Sequence, residues 1–303
     1  MTLAAATSRS RKPTPAGNTR VTGKEQFYTP AALAIELVAE LESVIGPLKG
    51  RTVIEPAGGT GAFIQAAIAA GAADVISVDI EPKHPAVKRA DFLATGDERI
   101  AGLTDAVTLG NPPFGRNNSL SIPFFNRAAD HSEFIAFIVP RSWRKWSVSN
   151  RLDLRFRLIH DRDLAVDYVD ESGERIWAKN RLATSFQIWQ RVPANPRKRV
   201  RVTDNGFVVK TSPADADIAL TIFGFGCGTV HTDFERVPNT TRMFLKFGPT
   251  SVGREAATLA ALKSADFERF YRNTAYTEAL SLQEINYLLN EALMGNPGLT
   301  EID

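Results

Sequence analysis

The stretch that most restricts the fold of this chain is a short apolar run, Val53-Ile54-Glu55, passing directly into Pro56-Ala57-Gly58-Gly59-Thr60-Gly61-Ala62-Phe63. An apolar helical stretch over residues 64–73 comes next, and Val75-Ile76-Ser77-Val78-Asp79 reads as a second strand. Glycines between a strand and a helix let the backbone turn tightly and let a ligand approach it closely. Strand, helix and strand with short connections imply a parallel sheet whose crossover helices cover its faces. The alternation continues. A short strand region precedes Asp91-Phe92, and Ala106-Val107-Thr108-Leu109 is an apolar run ending at Gly110. Residues 123–130 can form a helix, and Phe134-Ile135-Ala136-Phe137-Ile138-Val139 is a fully apolar strand before Pro140-Arg141-Ser142-Trp143. Residues 164–169 and 184–192 read as two further strands. The expected fold class is α/β, a doubly wound, mostly parallel seven-stranded sheet with Ile188 and Trp189 in its core.

The glycine turn excludes two common chemistries. A dinucleotide fingerprint wants a third glycine three residues after Gly61, where Ile64 stands, and no G-x-x-x-x-G-K-[ST] pattern occurs anywhere in the chain. Hydride transfer and a phosphate-cradling ATPase loop are both disfavoured. Asp79 ends the second strand, in position to accept hydrogen bonds from ribose hydroxyls. Asp91 offers an acceptor for an adenine amine, and Phe92 sets a ring beside it. Singly, either carboxylate would pass for a solvated loop residue; their order along the chain gives them weight.

Asn111-Pro112-Pro113-Phe114 lies between Gly110 and Gly115. Two prolines fix φ near −65° and donate nothing, so the loop carbonyls face outward as acceptors. The Asn111 side-chain carbonyl is another acceptor, and the Pro112 carbonyl can lie close to it. Two acceptors on one NH2 group hold both hydrogens and draw its lone pair out of conjugation with a ring, which makes a poor nucleophile usable. Phe114 adds a face for stacking, a contact worth roughly 1–3 kcal/mol per base in nucleic-acid complexes. By itself the tetrapeptide is equally an ordinary strand-ending turn.

Together these segments resemble the N6-adenine-specific methyltransferases, in the gamma order, where cofactor motifs precede the catalytic tetrapeptide and the recognition region comes last. Gly23-Lys24-Glu25-Gln26-Phe27-Tyr28-Thr29-Pro30 matches that family's amino-terminal cofactor motif, and Glu55 to Phe63 its glycine-rich motif. Val78-Asp79-Ile80-Glu81-Pro82 matches the ribose motif, Asp91-Phe92 the adenine motif, and Asn111-Pro112-Pro113-Phe114 the catalytic tetrapeptide, with Phe where Tyr is the other common choice. The likeness covers roughly residues 23–192. It implies S-adenosyl-L-methionine as cofactor, held through Tyr28, Thr29, Pro30, Glu55, Pro56, Gly58, Gly59, Gly61, Phe63, Asp79, Ile80, Asp91, Phe92 and Asn111. It implies that Asn111 and the Pro112 carbonyl hold the target amine in line with the sulfonium methyl, that a duplex adenine is flipped out to reach them, and that the last strand of the sheet is antiparallel.

Charge distribution bears on the partner, since a net charge of +2 decides nothing. Arg141, Arg144, Lys145, Arg151, Arg155 and Arg157 crowd a stretch with Trp143 and Trp146. Arg197, Lys198, Arg199 and Arg201 follow Pro193 and Pro196. Arg141, Arg144, Lys145, Arg197, Lys198 and Arg199 are the expected nucleic-acid contacts. The bland alternatives are a solvated helix face and a solubilising linker.

The expected organisation is a disordered basic arm at 1–22, a methyltransferase domain at 23–193, a β-rich target-recognition region at 197–250 and a helical segment at 251–303 packing on the core. Strand candidates lie at 199–210, 218–225 and 242–247, and helices at 254–263, 266–272 and 281–293. One cysteine, Cys227, excludes an internal disulfide and a multi-cysteine zinc site, and His84, His131, His160 and His231 show no metal-ligand spacing. No apolar run is long enough to span a bilayer. The expectation is a cytoplasmic monomer acting on DNA, with RNA as the alternative polymer and a cognate restriction nuclease as a candidate companion. Two other readings stay open: a protein glutamine methyltransferase, although the separate helical domain such enzymes carry has no room before residue 23, and a catalytically silent nucleic-acid-binding module.

Overall fold

The computed structural model describes residues 27–94, 97–176 and 182–303. The basic arm expected at 1–22 and the Gly23-Lys24-Glu25-Gln26 part of the amino-terminal motif lie outside them.

Helix α1 (Ala31–Ile45) leads into β1 (Thr52–Glu55), α2 (Ala62–Ala69), β2 (Asp74–Asp79), β3 (Lys88–Arg89) and β4 (Ala106–Gly110). Then come α3 (Ser121–Ala128), β5 (Ser132–Pro140), a 3-10 turn over Arg141–Arg144, the short α4 (Trp146–Ser149), β6 (Phe156–Leu164) and β7 (Thr184–Arg191). The seven strands form one sheet in the order β3-β2-β1-β4-β5-β7-β6. The first five pair in parallel, and β7 runs antiparallel between β5 and β6. The doubly wound, mostly parallel α/β fold and the antiparallel last strand are therefore as expected.

Both faces of the sheet are covered, so its central strands need apolar side chains at every position. Strand β5 makes this visible. Phe134, Ala136 and Ile138 pack on the α1/α2 side with Leu37, Leu41, Phe63 and Ala67. Ile135, Phe137 and Val139 pack on the α3 side with Phe125, Trp143 and Trp189. Ala34, Leu37, Val38 and Leu41 form the buried stripe of α1 at helical spacing. Ile188 and Trp189 are buried, as expected.

Several boundaries differ from the sequence expectation: the candidate at 199–210 is two strands, Arg199–Val202 and Val208–Lys210, the one at 218–225 ends at Thr221, and the helical segment at 251–303 also holds a strand, Leu299–Ile302. The helix expected at 64–73 begins at Ala62 and ends at Ala69, because Gly71 takes φ +83° and turns the chain toward β2. The strand expected at 164–169 is in fact β6, Phe156–Leu164. It lies at the sheet edge, where charged side chains are tolerated if they find partners. Glu40 on α1 accepts from Arg162 and pairs with His160. Beyond Leu164 the chain leaves the sheet, and Val169 makes an isolated antiparallel bridge to Tyr28.

The remainder contains β8 (Arg199–Val202), β9 (Val208–Lys210), β10 (Ile218–Thr221), β11 (Val230–His231), β12 (Arg242–Phe247), α5 (Glu255–Ser264), α6 (Glu268–Tyr271), α7 (Leu282–Met294) and β13 (Leu299–Ile302). Strands β11-β10-β12-β9 form an antiparallel sheet, and β13 returns to pair with β8. Val208, Ile218, Leu220 and Leu245 share one core with Leu262, Ile285, Leu288 and Leu289 from the helices. Ser281 starts α7 with a reciprocal capping box to Glu284.

The same Glu284 receives Lys145 Nζ at 2.9 Å, in a pair whose side chains are 17% and 2% exposed. Lys145 also donates to the Ala279 carbonyl at 3.1 Å, which ties this second core to the segment after β5. Removing one partner of a buried pair strands the other charge, at a cost of about 3–5 kcal/mol. Lys145→Met should therefore lower stability by roughly 3 kcal/mol, read as a shifted urea midpoint; an unshifted midpoint would contradict this anchoring role.

Candidate functional site

The carboxyl ends of the parallel strands meet one cavity of about 560 Å³. Its walls combine three sequence-distant groups. Phe27, Tyr28 and Tyr168 form one side. Pro56, Ala57, Gly59, Asp79, Ile80, Glu81, Asp91 and Phe92 come from the ends of β1, β2 and β3. Asn111, Pro112, Pro113, Phe114, Gly115 and Arg116 follow β4. Volumes of this order hold nucleoside-sized ligands.

The glycine turn is shaped by what presses on it. Gly58 donates to the Val78 carbonyl at 3.0 Å, and Gly61 donates back to the Gly58 carbonyl at 2.8 Å. A Cβ on Gly58 would come within 2.1 Å of Ser77 Oγ, so no larger residue fits there. Gly59 has φ +46° and its backbone lies against the Tyr28 ring, where a Cβ would come within 2.7 Å. Gly59 N–H donates to Asp79 Oδ2 at 2.9 Å and Glu81 N–H to Asp79 Oδ1 at 2.8 Å, so the Asp79 carboxylate is fixed while each oxygen keeps a further lone pair.

Beneath this turn Glu55 is buried, 2% exposed, with Ser77 Oγ donating to its Oε2 at 2.8 Å. Burial pushes the Glu55 carboxyl up to about 8; the Ser77 hydroxyl opposes that shift, the Asp79 charge adds to it, and the Phe63 N–H opposes it. Glu55 is thus held protonated at neutral pH under a turn that faces the cavity.

Asn111 has its amide oriented from outside its own loop. Its Nδ2 donates to the Phe27 carbonyl at 3.0 Å. A carbonyl only accepts, so the amide nitrogen must face Phe27 and Oδ1 must face away. Asn111 Oδ1 is buried with no hydrogen-bond partner. Among the described residues nothing donates to the Pro112 carbonyl either. The Phe27 carbonyl is in turn held by the two-way backbone bridge between Tyr28 and Val169, 3.1 Å in each direction, and the Phe27 ring packs on Tyr168 at 5.5 Å.

Of the residues expected around a cofactor, Tyr28, Pro56, Gly59, Asp79, Ile80, Asp91, Phe92 and Asn111 line the cavity. Glu55, Gly58 and Gly61 support the turn behind it. Phe63 is a core residue beside α1, and Pro30 caps α1. Thr29 is buried with an unpartnered hydroxyl. All four residues of Asn111-Pro112-Pro113-Phe114 line the cavity. Asp91 also closes an Asx turn by accepting from Leu93 N–H at 2.9 Å.

Each of the six expected nucleic-acid cations has a partner within the chain, and Lys198 and Arg199 stay exposed. Arg144 grips Asp161 through two hydrogen bonds, at 2.8 and 2.7 Å, and reaches Asp163 at 2.7 Å; Arg141 also pairs with Asp163, at 2.8 Å. Lys145 holds Glu284 as described. Arg197 lies over the Trp189 ring at 5.6 Å and donates to the Ser149, Leu152 and Phe156 carbonyls. Lys198 pairs with Glu301 at 2.5 Å, and Arg199 donates to the Asn150 carbonyl at 3.2 Å.

Phe27, Glu81, Arg116 and Tyr168 line the cavity but were not singled out from the sequence. Phe27, Glu81 and Arg116 sit inside or beside the matched motifs, which was a usable signal. Tyr168 had none, because its place depends on the long-range bridge at Val169. Among the described residues no cluster of metal-ligating side chains occurs, and no helix is long and apolar enough to cross a membrane.

No family model matches the chain, and no curated protein matches it. Several solved structures are similar in part. A provisionally assigned RNA methyltransferase from Pyrococcus horikoshii is 21% identical, over 58% of this chain and 90% of that one, with a TM-score of 0.43. A provisionally assigned class I S-adenosylmethionine-dependent methyltransferase from Listeria monocytogenes is 15% identical over 60% and 66% of the two chains, with a TM-score of 0.42. The modification subunit of a provisionally assigned type I restriction enzyme from Vibrio vulnificus is 16% identical over 62% and 49%, with a TM-score of 0.41.

Proposed function

We propose that this chain transfers a methyl group from S-adenosyl-L-methionine to the exocyclic N6 amine of adenine in DNA. The observation that carries the reading is the orientation of Asn111: its amide nitrogen is committed to the Phe27 carbonyl, and its buried Oδ1 has no partner at the edge of a nucleoside-sized cavity. A second unclaimed acceptor, the Pro112 carbonyl, is the next residue. Two acceptors with no donors of their own suit an NH2 group, and they do not suit a carbonyl or a phosphate.

The residues around the rest of the cavity fit the cofactor. Asp79, Glu81 and Asp91 supply acceptors for ribose hydroxyls and an adenine amine, and Phe92 and Ile80 supply apolar faces. When bound, S-adenosylmethionine would supply an electrophilic methyl group on a sulfonium, the methyl–sulfur bond breaking with its electron pair on sulfur to leave the neutral thioether of S-adenosylhomocysteine. Asn111 and the Pro112 carbonyl take the two amine hydrogens, concentrate the lone pair on nitrogen and fix its direction. Orientation of this kind can lower a barrier by several kcal/mol, up to roughly 7–11 in favourable intramolecular cases. Phe114 carries the base by stacking. The amine is neutral before reaction, so its surplus proton leaves to water after the new C–N bond forms, and no general base is required.

DNA is preferred over RNA because a second core, built of the four-stranded sheet and helices α5 and α7, is tied to the segment after β5 through Lys145, beside the carboxyl ends of the strands, where a recognition element has to stand. A flipped base then enters the pocket at the cost of a few kcal/mol of unstacking. The experiment is labelled-methyl transfer to unmethylated duplex DNA, the same DNA denatured, and total RNA in parallel. Label is expected in DNA; label in RNA alone would overturn the choice of polymer.

A further inference from the structure

The cavity mouth carries one group that the clamp and the carboxylates leave unexplained. Arg116 is the only lysine or arginine among the described residues lining the cavity. It is exposed and has no anionic partner among the described residues. That sets it apart from Arg141, Arg144 and Lys145, which are spent on Asp161, Asp163 and Glu284.

The backbone beneath Arg116 is strained. Gly115, Asn117 and Asn118 all have positive φ, at 67°, 55° and 61°. Left-handed conformations at two successive non-glycine residues are uncommon even for asparagine, and persist where packing enforces them. Here Asn118 is buried and donates to Ser142 Oγ at 3.1 Å, and the Phe114 carbonyl accepts from Leu120 and Ser121 at 3.2 and 3.3 Å. A Cβ on Gly115 would come within 2.8 Å of the Leu120 nitrogen. The loop is folded back on the clamp and locked to the segment after β5, which fixes where Arg116 starts.

Charge divides the cavity. Asp79 ends β2, Glu81 follows it and Asp91 follows β3, whereas Arg116 follows β4, beyond β1. Two strand spacings separate β2 from β4, roughly 10 Å. An anion is therefore repelled from the carboxylate end and drawn to the Arg116 end.

We infer that Arg116 is a phosphate-binding residue, whose guanidinium fork takes the non-bridging oxygens of a phosphodiester adjoining the nucleotide held by Asn111. The inference rests on the proposed function only in treating the cavity as a base pocket. A planar guanidinium matches phosphate oxygens in a bidentate fashion, as an ammonium does not.

The test is binding of labelled duplex DNA, followed by fluorescence anisotropy across a salt series with S-adenosylhomocysteine present. Arg116→Ala should weaken binding about tenfold at moderate salt and reduce the steepness of the log–log salt dependence by about one phosphate contact, a slope change near 0.9. Arg116→Lys should restore the slope and part of the affinity. The thermal midpoint and the S-adenosylhomocysteine affinity should stay as in the unsubstituted protein. An unchanged salt slope in Arg116→Ala would overturn the inference, as would a loss of S-adenosylhomocysteine affinity with the DNA slope intact, which would assign the guanidinium to the cofactor carboxylate. Because the readout is binding, its failure is separable from failure of methyl transfer: Arg116-dependent binding without turnover would sink the proposed reaction and leave this inference standing.

Discussion

Asn111→Ala should bind S-adenosylhomocysteine within about threefold of the unsubstituted protein and lose methyl transfer by at least roughly 10³-fold. The substitution removes the side-chain acceptor, Asn111 Oδ1, that the proposed reaction assigns to the target amine. It leaves the glycine turn, Asp79 and Asp91 untouched, because among the described residues the only side-chain bond lost is the one to the Phe27 carbonyl at 3.0 Å. The expected pattern is a collapse of kcat with calorimetric cofactor affinity preserved. Retained turnover would remove Asn111 from the reaction, and parallel loss of cofactor binding would show that the Phe27 contact organises the whole site.

The legible parts of this fold are those governed by local rules. Strands β4 and β5 announced themselves because a sheet covered on both faces needs unbroken apolar runs, and the turn at residues 58–61 because Ser77 and Tyr28 leave no space for side chains at Gly58 and Gly59. Strand β6 was misplaced because His160, Asp161, Arg162 and Asp163 look like a solvated loop until Glu40, Arg141 and Arg144 are brought beside them. The internal partners of the basic clusters were equally hidden, since the carboxylates that engage Lys145 and Lys198 lie more than a hundred residues away in the chain, at Glu284 and Glu301. Within the candidate site, Asn111 was legible as an acceptor from its tetrapeptide. Its orientation was not, since that depends on the Tyr28–Val169 bridge placing the Phe27 carbonyl.

The second large effect concerns Glu55. Its carboxyl is raised to about 8 in the folded chain by burial, against an ordinary value near 4.5. Between those values the folded form keeps the proton and the unfolded form has released it. The unfolded state then binds fewer protons, so stability falls as pH rises through this window and levels off above about pH 8. The slope is roughly 1.4 kcal/mol per pH unit at most. Glu55→Gln keeps the shape and removes the titration, so it should flatten the pH dependence of the urea midpoint and make the protein more stable than the parent at pH 8. A parent midpoint that does not decline from pH 5 to pH 8, or a Glu55→Gln variant with the parent's slope, would contradict a protonated Glu55. If the proposed S-adenosylmethionine binds over this turn, its positive charge favours the carboxylate, so binding at pH 7 should release protons in the parent and fewer in Glu55→Gln. Calorimetry in buffers of different ionisation enthalpy measures that difference; equal proton release by both would separate Glu55 from cofactor binding.

The central claim is the identity of the methylated atom. Unmethylated DNA incubated with the protein and S-adenosylmethionine bearing a deuterated methyl group, then digested to nucleosides and resolved by mass spectrometry, answers it directly. The account predicts deuterated N6-methyladenine, absent when Asn111→Ala is used. Deuterium on a cytosine or on a ring nitrogen of adenine, or no deuterated nucleoside from a protein that binds the cofactor, would contradict it.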